Sequence, residues 1–297
     1  MKFTISSYTQ EKIVSEIDEV IDWGVSILGA PQAWQVTKGK GVKVAILDTG
    51  IDATHPDLRG NIRGGMNFTS DDPTDFMDKQ GHGTHCAGII AGIDNGIGII
   101  GVAPEASIYA VKVLDNHGAG KLTGIIRGLR WAIDQDMDVI SMSLGVGKEP
   151  PQIIHNLFKE AYRKGIPIVV ASGNEGKEVA YPAAYPESIA VGAINETLQA
   201  SSFSNRGKGL DIVAPGVGIY STYLNGQYSK MSGTSMAAPL VAGAIALWIA
   251  NRRKLGKSYT VADIHYALAK SAKDIGPEGY DEETGYGLLD IVRFLDM

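Results

Sequence analysis

Two histidines and the chain's only cysteine fall within five positions of the stretch GHGTHCAG, residues 81–88. Three chemistries use such residues. A transition metal takes imidazole and thiolate ligands, a cysteine nucleophile needs a neighbouring imidazole, and a serine nucleophile needs one histidine as base with a carboxylate behind it. A metal held by His82, His85 and Cys86 is opposed by geometry, because side chains at adjacent helical positions point about 100° apart, and by the lack of a second ligand pair with zinc-like spacing. A thiol nucleophile is opposed by the aliphatic run CAGIIAG, since apolar burial raises a thiol pKa and leaves a small hydrophobe.

Two further segments supply what a histidine base would need. ILDTGID places Asp48 at the end of an apolar run, where a buried carboxylate is costly unless it is hydrogen-bonded, and an imidazole is one such partner. SGTSMAAP places Ser235 at the start of a long apolar helix, whose first N–H groups and positive dipole end suit an oxyanion formed when a hydroxyl attacks a carbonyl. In ASGNEG, residues 171–176, Asn174 follows another apolar run and offers an amide donor for the same oxyanion. Taken singly, Asp48 reads equally as a strand end, Ser235 as an N-cap and Asn174 as a turn residue.

The elements that must position these groups are strands alternating with helix-length segments. VKVAILD (42–48), IYAVKVL (108–114), DVISMSL (138–144) and IPIVVAS (166–172) are continuous apolar, β-branched runs of the kind found in parallel strands covered on both faces. Ligands then bind beyond the carboxyl ends of the strands, where the residues singled out lie. The chain has 297 residues, 44% hydrophobic and 20% charged, enough to bury one large core. Its net charge of -6 speaks against nucleic acid or an anionic membrane as partner. A single cysteine forms no internal disulfide and fits a reducing compartment, so the expected location is cytoplasmic. The first twenty residues have no apolar stretch or cleavage site of a signal peptide, and the apolar run 236–250 falls short of the roughly 20 residues of a membrane span, so no membrane partner is expected. Near Asp22 a polar, acidic lead-in gives way to WGVSILGAPQAW, which divides the chain into an extension, 1–22, and a main body, 23–297.

DTGID, GHGTHCAG, ASGNEG and GTSMAAP, in this order, resemble the signatures of the subtilisin-like serine proteases, and the resemblance runs from about Trp23 to Tyr286. The chain order Asp, His, Ser and the role of each are those of that family. The resemblance implies a three-layer α/β/α sandwich around a mainly parallel sheet, and a serine endopeptidase with Asp48, His82 and Ser235 as triad and Asn174 with the Ser235 N–H as oxyanion hole. His85 would belong to the packing behind His82. Polypeptide substrates would add as a strand between HGAG (Gly118, Ala119, Gly120) and SLG (Ser143, Leu144, Gly145). The first specificity pocket would lie between Ser143–Gly145 and Ala171, Ser172 and Gly173, with Ala180 near its base and no charge inside, favouring apolar or aromatic side chains before the cut bond. Leu122, Ile125 and Leu144 match a second apolar pocket, four residues before the cut, or are simply core.

The loop IDNGIGIIGVAP, residues 93–104, is similar to the family's tight calcium loop. The resemblance implies structural Ca2+ held by the carbonyls of Ile93, Ile97 and Ile99, the side chains of Asn95 and Asp57, and Glu19 from the extension. GGMNFTSDD, APEAS and ISMSLG resemble the intracellular subtilisins, a group that lacks a signal peptide and prodomain and suggests a homodimer. That group's inhibitory extension carries an apolar motif with proline, which MKFTISSYTQEK lacks. FTISSY is then either a surrogate substrate lying across the cleft until cut or a loose tail. Two other functions compete with the protease: a catalytically silent peptide-binding protein of the same fold, and a metal-dependent hydrolase using residues 82–86.

Overall fold

The computed structural model describes every residue except Lys12, Glu16 and Ile17. In chain order the elements are β1 Lys2–Thr4, β2 Thr9–Gln10, α1 Trp23–Ile27, α2 Ala30–Ala33, β3 Lys43–Asp48, β4 Ile62–Asn67, α3 His82–Ala91, β5 Ser107–Lys112, β6 Ala119–Lys121 and α4 Leu122–Asp134. They continue with β7 Val139–Met142, α5 Gln152–Arg163, β8 Ile168–Ala171, β9 Ser188–Ile194, β10 Ile212–Pro215, β11 Ile219–Thr222, β12 Tyr228–Ser232, α6 Thr234–Lys254, α7 Val261–Ser271 and α8 Ile291–Leu295.

Seven strands form one parallel sheet in the order β10-β9-β8-β7-β3-β5-β4. Its inner strands are buried on both faces, as their uninterrupted apolar runs require. Helices α3 and α6 pack on each other and on the sheet, while α4 and α5 pack on each other and on β3, β5 and β8, which gives the three layers expected. β3 sits where the strand order switches, between β5 and β7, so its carboxyl end opens onto the crevice where ligands bind in such sheets.

Two antiparallel ribbons flank that crevice. β1 pairs with β6, and β2 joins β12 and β11 in a three-stranded sheet, so the first ten residues are tied into the fold at two places. The extension ends where Asp22 caps α1: its carboxylate accepts from the Gly24 N–H at 2.7 Å and the Tyr220 N–H at 3.0 Å, joining helix start to β11. Helix α6 holds the apolar run 236–250, buried as that run implies, and extends beyond it. It runs for 21 residues, long and apolar enough to cross a membrane, but that apolar window is wholly buried and is the core helix under the sheet.

Candidate active site

Asp48 is the last residue of β3 and His82 the first of α3, and their side chains meet with His82 Nδ1 2.8 Å from Asp48 Oδ1. Both are fully buried. The Thr49 N–H also donates to Oδ1 at 2.7 Å, so the strand's own next residue fixes the carboxylate. Gly83 lets α3 approach this closely, because a Cβ there would strike the Gly50 carbonyl and the Asp48 side chain. The turn into α3 is held by Asp78, whose Oδ1 accepts from the Gln80 and Gly81 N–H groups and Oδ2 from the Thr84 N–H and hydroxyl.

Ser235 is the second residue of α6, in the first turn, where N–H groups lack intrahelical acceptors. Pro239 stands four residues on and has no N–H, so it leaves the Ser235 carbonyl without its helical donor. Two side chains take that place: the Ser143 hydroxyl donates at 2.9 Å and the Cys86 thiol at 3.4 Å. The Ser235 hydroxyl turns toward the Ser143 carbonyl at 3.4 Å, and His82 Nε2 has no hydrogen-bond partner among the described residues. A weakly bonded hydroxyl and a buried, unpartnered imidazole nitrogen are the two groups that a bound substrate would bring into use.

Asn174 follows β8 and is oriented by the helix that carries the serine. Its Oδ1 accepts from the Thr234 N–H and hydroxyl, both at 2.8 Å, which commits the amide nitrogen to the cleft. There Nδ2 donates to the Ser7 carbonyl at 2.8 Å.

Burial alone disfavours the His82 imidazolium, but the adjoining Asp48 carboxylate outweighs it and holds the pKa well above the ordinary 6.5. Cys86 Sγ lies 4.0 Å from His82 Nδ1, yet burial pushes the thiol pKa up, so it stays neutral and inert. His85 is driven to about 3 by burial, remains neutral, and donates from Nε2 to the Ser229 carbonyl at 3.0 Å, a packing role as expected. Among the described residues, the ligand atoms that do converge within 4.8 Å are those of Asp48, His82 and Cys86, so His85 is not the partner that the metal alternative needs. A cation there would have to displace the proton of the 2.8 Å Asp48–His82 bond.

The cleft beside these groups is spanned by the chain's own N-terminal segment. Thr4 exchanges backbone bonds with Gly145 at 3.1 and 2.9 Å, the Ile5 N–H donates to the Gly118 carbonyl at 3.1 Å, and Phe3, opposite Gly120, is fully buried. Phe3, Ile125 and Leu144 all belong to the buried core, onto which the half-buried Leu122 packs. Tyr8 lies with its ring 5.4 Å from that of His82, and its hydroxyl accepts from Gln80 Nε2 at 2.8 Å. Ser6 lines a cavity of 560 Å³ with Gly145, Val146, Gly147, Val179, Ala180 and Tyr181. Ser172 is linked to it by the Ala180 N–H, whereas Ser143, Leu144, Ala171 and Gly173 are not among its lining residues. The expectation of an uncharged pocket does not hold for this cavity: Glu175, Lys177 and Glu178 also line it, all three exposed.

The loop predicted for calcium is bound to Asp57 and Glu19. Asp57, fully buried, accepts from Asn95 Nδ2 at 3.0 Å, the Ile99 N–H at 2.9 Å and the Tyr228 hydroxyl at 2.9 Å, while Glu19 accepts from the Asn95 and Gly96 N–H groups at 2.8 Å. The carbonyls of Ile93 and Ile99 accept no hydrogen bond among the described residues, and Ile97 bridges antiparallel to Asp18 of the extension. The buried Asp57 carboxylate, tied to this loop through Asn95 and Ile99, and the loop's backbone carbonyls are oxygen donors of the kind a hard cation takes.

Sequence reasoning missed Asp78, Thr234, Tyr8 and Lys112. Lys112, buried at the end of β5 and paired in register with Asp48, donates to the Thr49 carbonyl and, at 3.3 Å, to Asn116 Oδ1. A buried lysine in an apolar strand run was its only visible signal.

Residues 39–287 match the profile described as the subtilase family. The chain is 49% identical to an intracellular serine protease of Paenibacillus polymyxa over 297 aligned residues, covering 96% of this chain and 89% of that protein. It is 42% identical to subtilisin E of Bacillus subtilis (strain 168), across 97% of this chain and 74% of that protein. It is 46% identical to the major intracellular serine protease of the same strain, across 81% and 78%. With the parallel sheet and the meeting of Asp48 and His82 beside the start of α6, these matches place the chain in the subtilase family, as a subtilisin-type serine endopeptidase.

Proposed function

We propose that Ser235 is the nucleophile of this endopeptidase, His82 its base and Asp48 the group that orients the base. Ser235 Oγ attacks the peptide carbonyl carbon while His82 Nε2 takes its proton. Asp48 holds Nδ1–H and stabilises the imidazolium. Asn174 Nδ2 and the Ser235 N–H receive the oxyanion, His82 returns the proton to the leaving amine, and water releases the acyl group by the same steps. The observation that carries this reading is the Asn174 amide, locked by Thr234 with its donor on a peptide carbonyl in the cleft.

That carbonyl belongs to the chain itself, and residues 1–22 act as a regulatory extension covering the site. Two anchors set its register: Phe3, buried opposite Gly120, takes the position four residues before the cut and Ser6, lining the first pocket, the position before it, which makes Ser6–Ser7 the bond due for attack. The carbonyl at Asn174 is instead that of Ser7, one residue late, so the segment fills the cleft without presenting its bond. Deleting residues 1–15 should raise the rate in the first seconds roughly tenfold or more, because a tethered competitor acts at an effective concentration on the order of millimolar. A stopped-flow assay with a fluorogenic peptide reads this, and an unchanged initial rate would sink it.

The preference before the cut bond is for apolar or aromatic side chains, supported by the walls from Val146, Val179 and Tyr181, with the three charges confined to exposed residues. Asp57, Asn95, Glu19 and the carbonyls of Ile93, Ile97 and Ile99 would hold calcium, which supplies a clip between the extension and the body. Chelation should then lower the calorimetric unfolding midpoint by about 5 °C, from about 2.7 kcal/mol of binding at a calcium level a hundred times Kd. A midpoint indifferent to chelator would remove the ion from the account. The intracellular names of two relatives support a cytoplasmic role in protein turnover or processing.

A further inference from the structure

Lys2 in β1 stands directly opposite Lys121 in β6, next to the pairs Phe3–Gly120 and Thr4–Ala119. Directly opposed residues of an antiparallel pair project from one face with Cβ atoms about 5 Å apart, where like charges destabilise the pairing. Both lysines are exposed, and neither enters an ion pair among the described residues. The rest of β1 is well matched to its site, through the buried Phe3 and the paired bonds of Thr4. The mismatch is confined to one position.

Phe3 and Ser6 count consistently as the fourth and first residues before the cut bond, so Lys2 takes the fifth. We infer that Lys121 forms a cationic subsite selecting substrates with Asp or Glu five residues before the cut, and that Lys2 weakens the chain's hold on its own segment. The inference rests on the reading that residues 2–7 follow the substrate path. A substrate carboxylate would gain at Lys121 the attraction that Lys2 turns into repulsion, so an acidic substrate displaces the segment more readily than a basic one. Salt should flatten the difference, because the pair is exposed.

The test uses the full chain and three fluorogenic peptides identical except for Glu, Ala or Lys at the fifth position before the cut. Because the covering segment competes equally with all three, their kcat/KM ratios are independent of how tightly it binds. The Glu-to-Lys ratio should be about two- to tenfold at low salt, the scale of exposed cross-strand charge pairs, and should fall toward one at high salt. Lys121→Gln should bring it near one and Lys121→Glu should invert it. Lys2→Glu, which makes the self-pair complementary, should slow the initial rate and leave the ratio unchanged. A ratio near one in the unaltered chain, or one untouched by Lys121→Glu, overturns the subsite. A ratio that inverts while Lys2→Glu leaves the initial rate alone keeps the subsite and discards the covering segment.

Discussion

Replacing Ser235 by alanine should lower kcat about a millionfold, and His82→Ala should cost nearly as much, a scale measured in this family rather than one obtained from this chain's geometry. The expectation follows from how little else in the site can attack a carbonyl. The Cys86 thiol is kept protonated by burial while its hydrogen goes to the Ser235 carbonyl, and the Ser143 and Thr234 hydroxyls are committed to the Ser235 carbonyl and Asn174. Asp48 is committed to His82 and the Thr49 N–H through one oxygen. Because the serine and histidine act as one unit, the double substitution should lose no more than either single one, and a sum of the two losses would contradict the shared proton transfer. Cys86→Ala should leave most of the turnover in place, and steady-state hydrolysis of a chromogenic peptide distinguishes these results. Retention of turnover within a hundredfold in Ser235→Ala would remove the serine from the chemistry.

The second large effect belongs to Asn174. Asn174→Ala should lower kcat by roughly a hundred- to a thousandfold with little change in KM, again the magnitude established for this amide in the family. Asn174→Asp separates the donor from the scaffold. It keeps an oxygen to accept from the Thr234 N–H and hydroxyl but offers the oxyanion a negative charge where Nδ2 had offered a proton. Its kcat should therefore fall at least as far as that of the alanine variant while its unfolding midpoint stays nearer the parent's. If Asn174→Asp were as active as the unaltered chain, the amide would be a structural peg only. Both variants should also loosen the covering segment, since the same amide donates to the Ser7 carbonyl.

The parts legible in the sequence are those where one residue type must follow one element. Asp48 at the end of β3, His82 opening α3 and Ser235 in the first turn of α6 stand where an apolar run meets glycine and a small-residue helix start. The parallel sheet was legible for the same reason, because strands buried on both faces leave no polar alternation. What escaped depends on contacts between segments far apart in the chain. Asp78 and Thr234 look like ordinary turn and cap residues until their hydrogen bonds are traced to α3 and Asn174. Glu175, Lys177 and Glu178 give no sign in the sequence of lining the first pocket, because they meet Gly145–Gly147 there only through the tertiary fold. Cys86 was judged against His85, its chain neighbour, whereas the helix turns it toward His82 and the Ser235 carbonyl. FTISSY carried only β-propensity, and the bonds of Thr4 with Gly145 and of Ser7 with the Asn174 amide, on which the proposed offset rests, join segments far apart in the chain.

Intact and peptide mass spectrometry after incubation with a fluorescent serine-hydrolase phosphonate, with calcium present, addresses the activated serine most directly. The account predicts one label per chain, on Ser235, faster after removal of residues 1–15 and absent from His82→Ala. A folded chain lacking residues 1–15 that takes up no label, or takes it up equally without His82, would contradict the triad and leave a peptide-binding protein with a protease's fold.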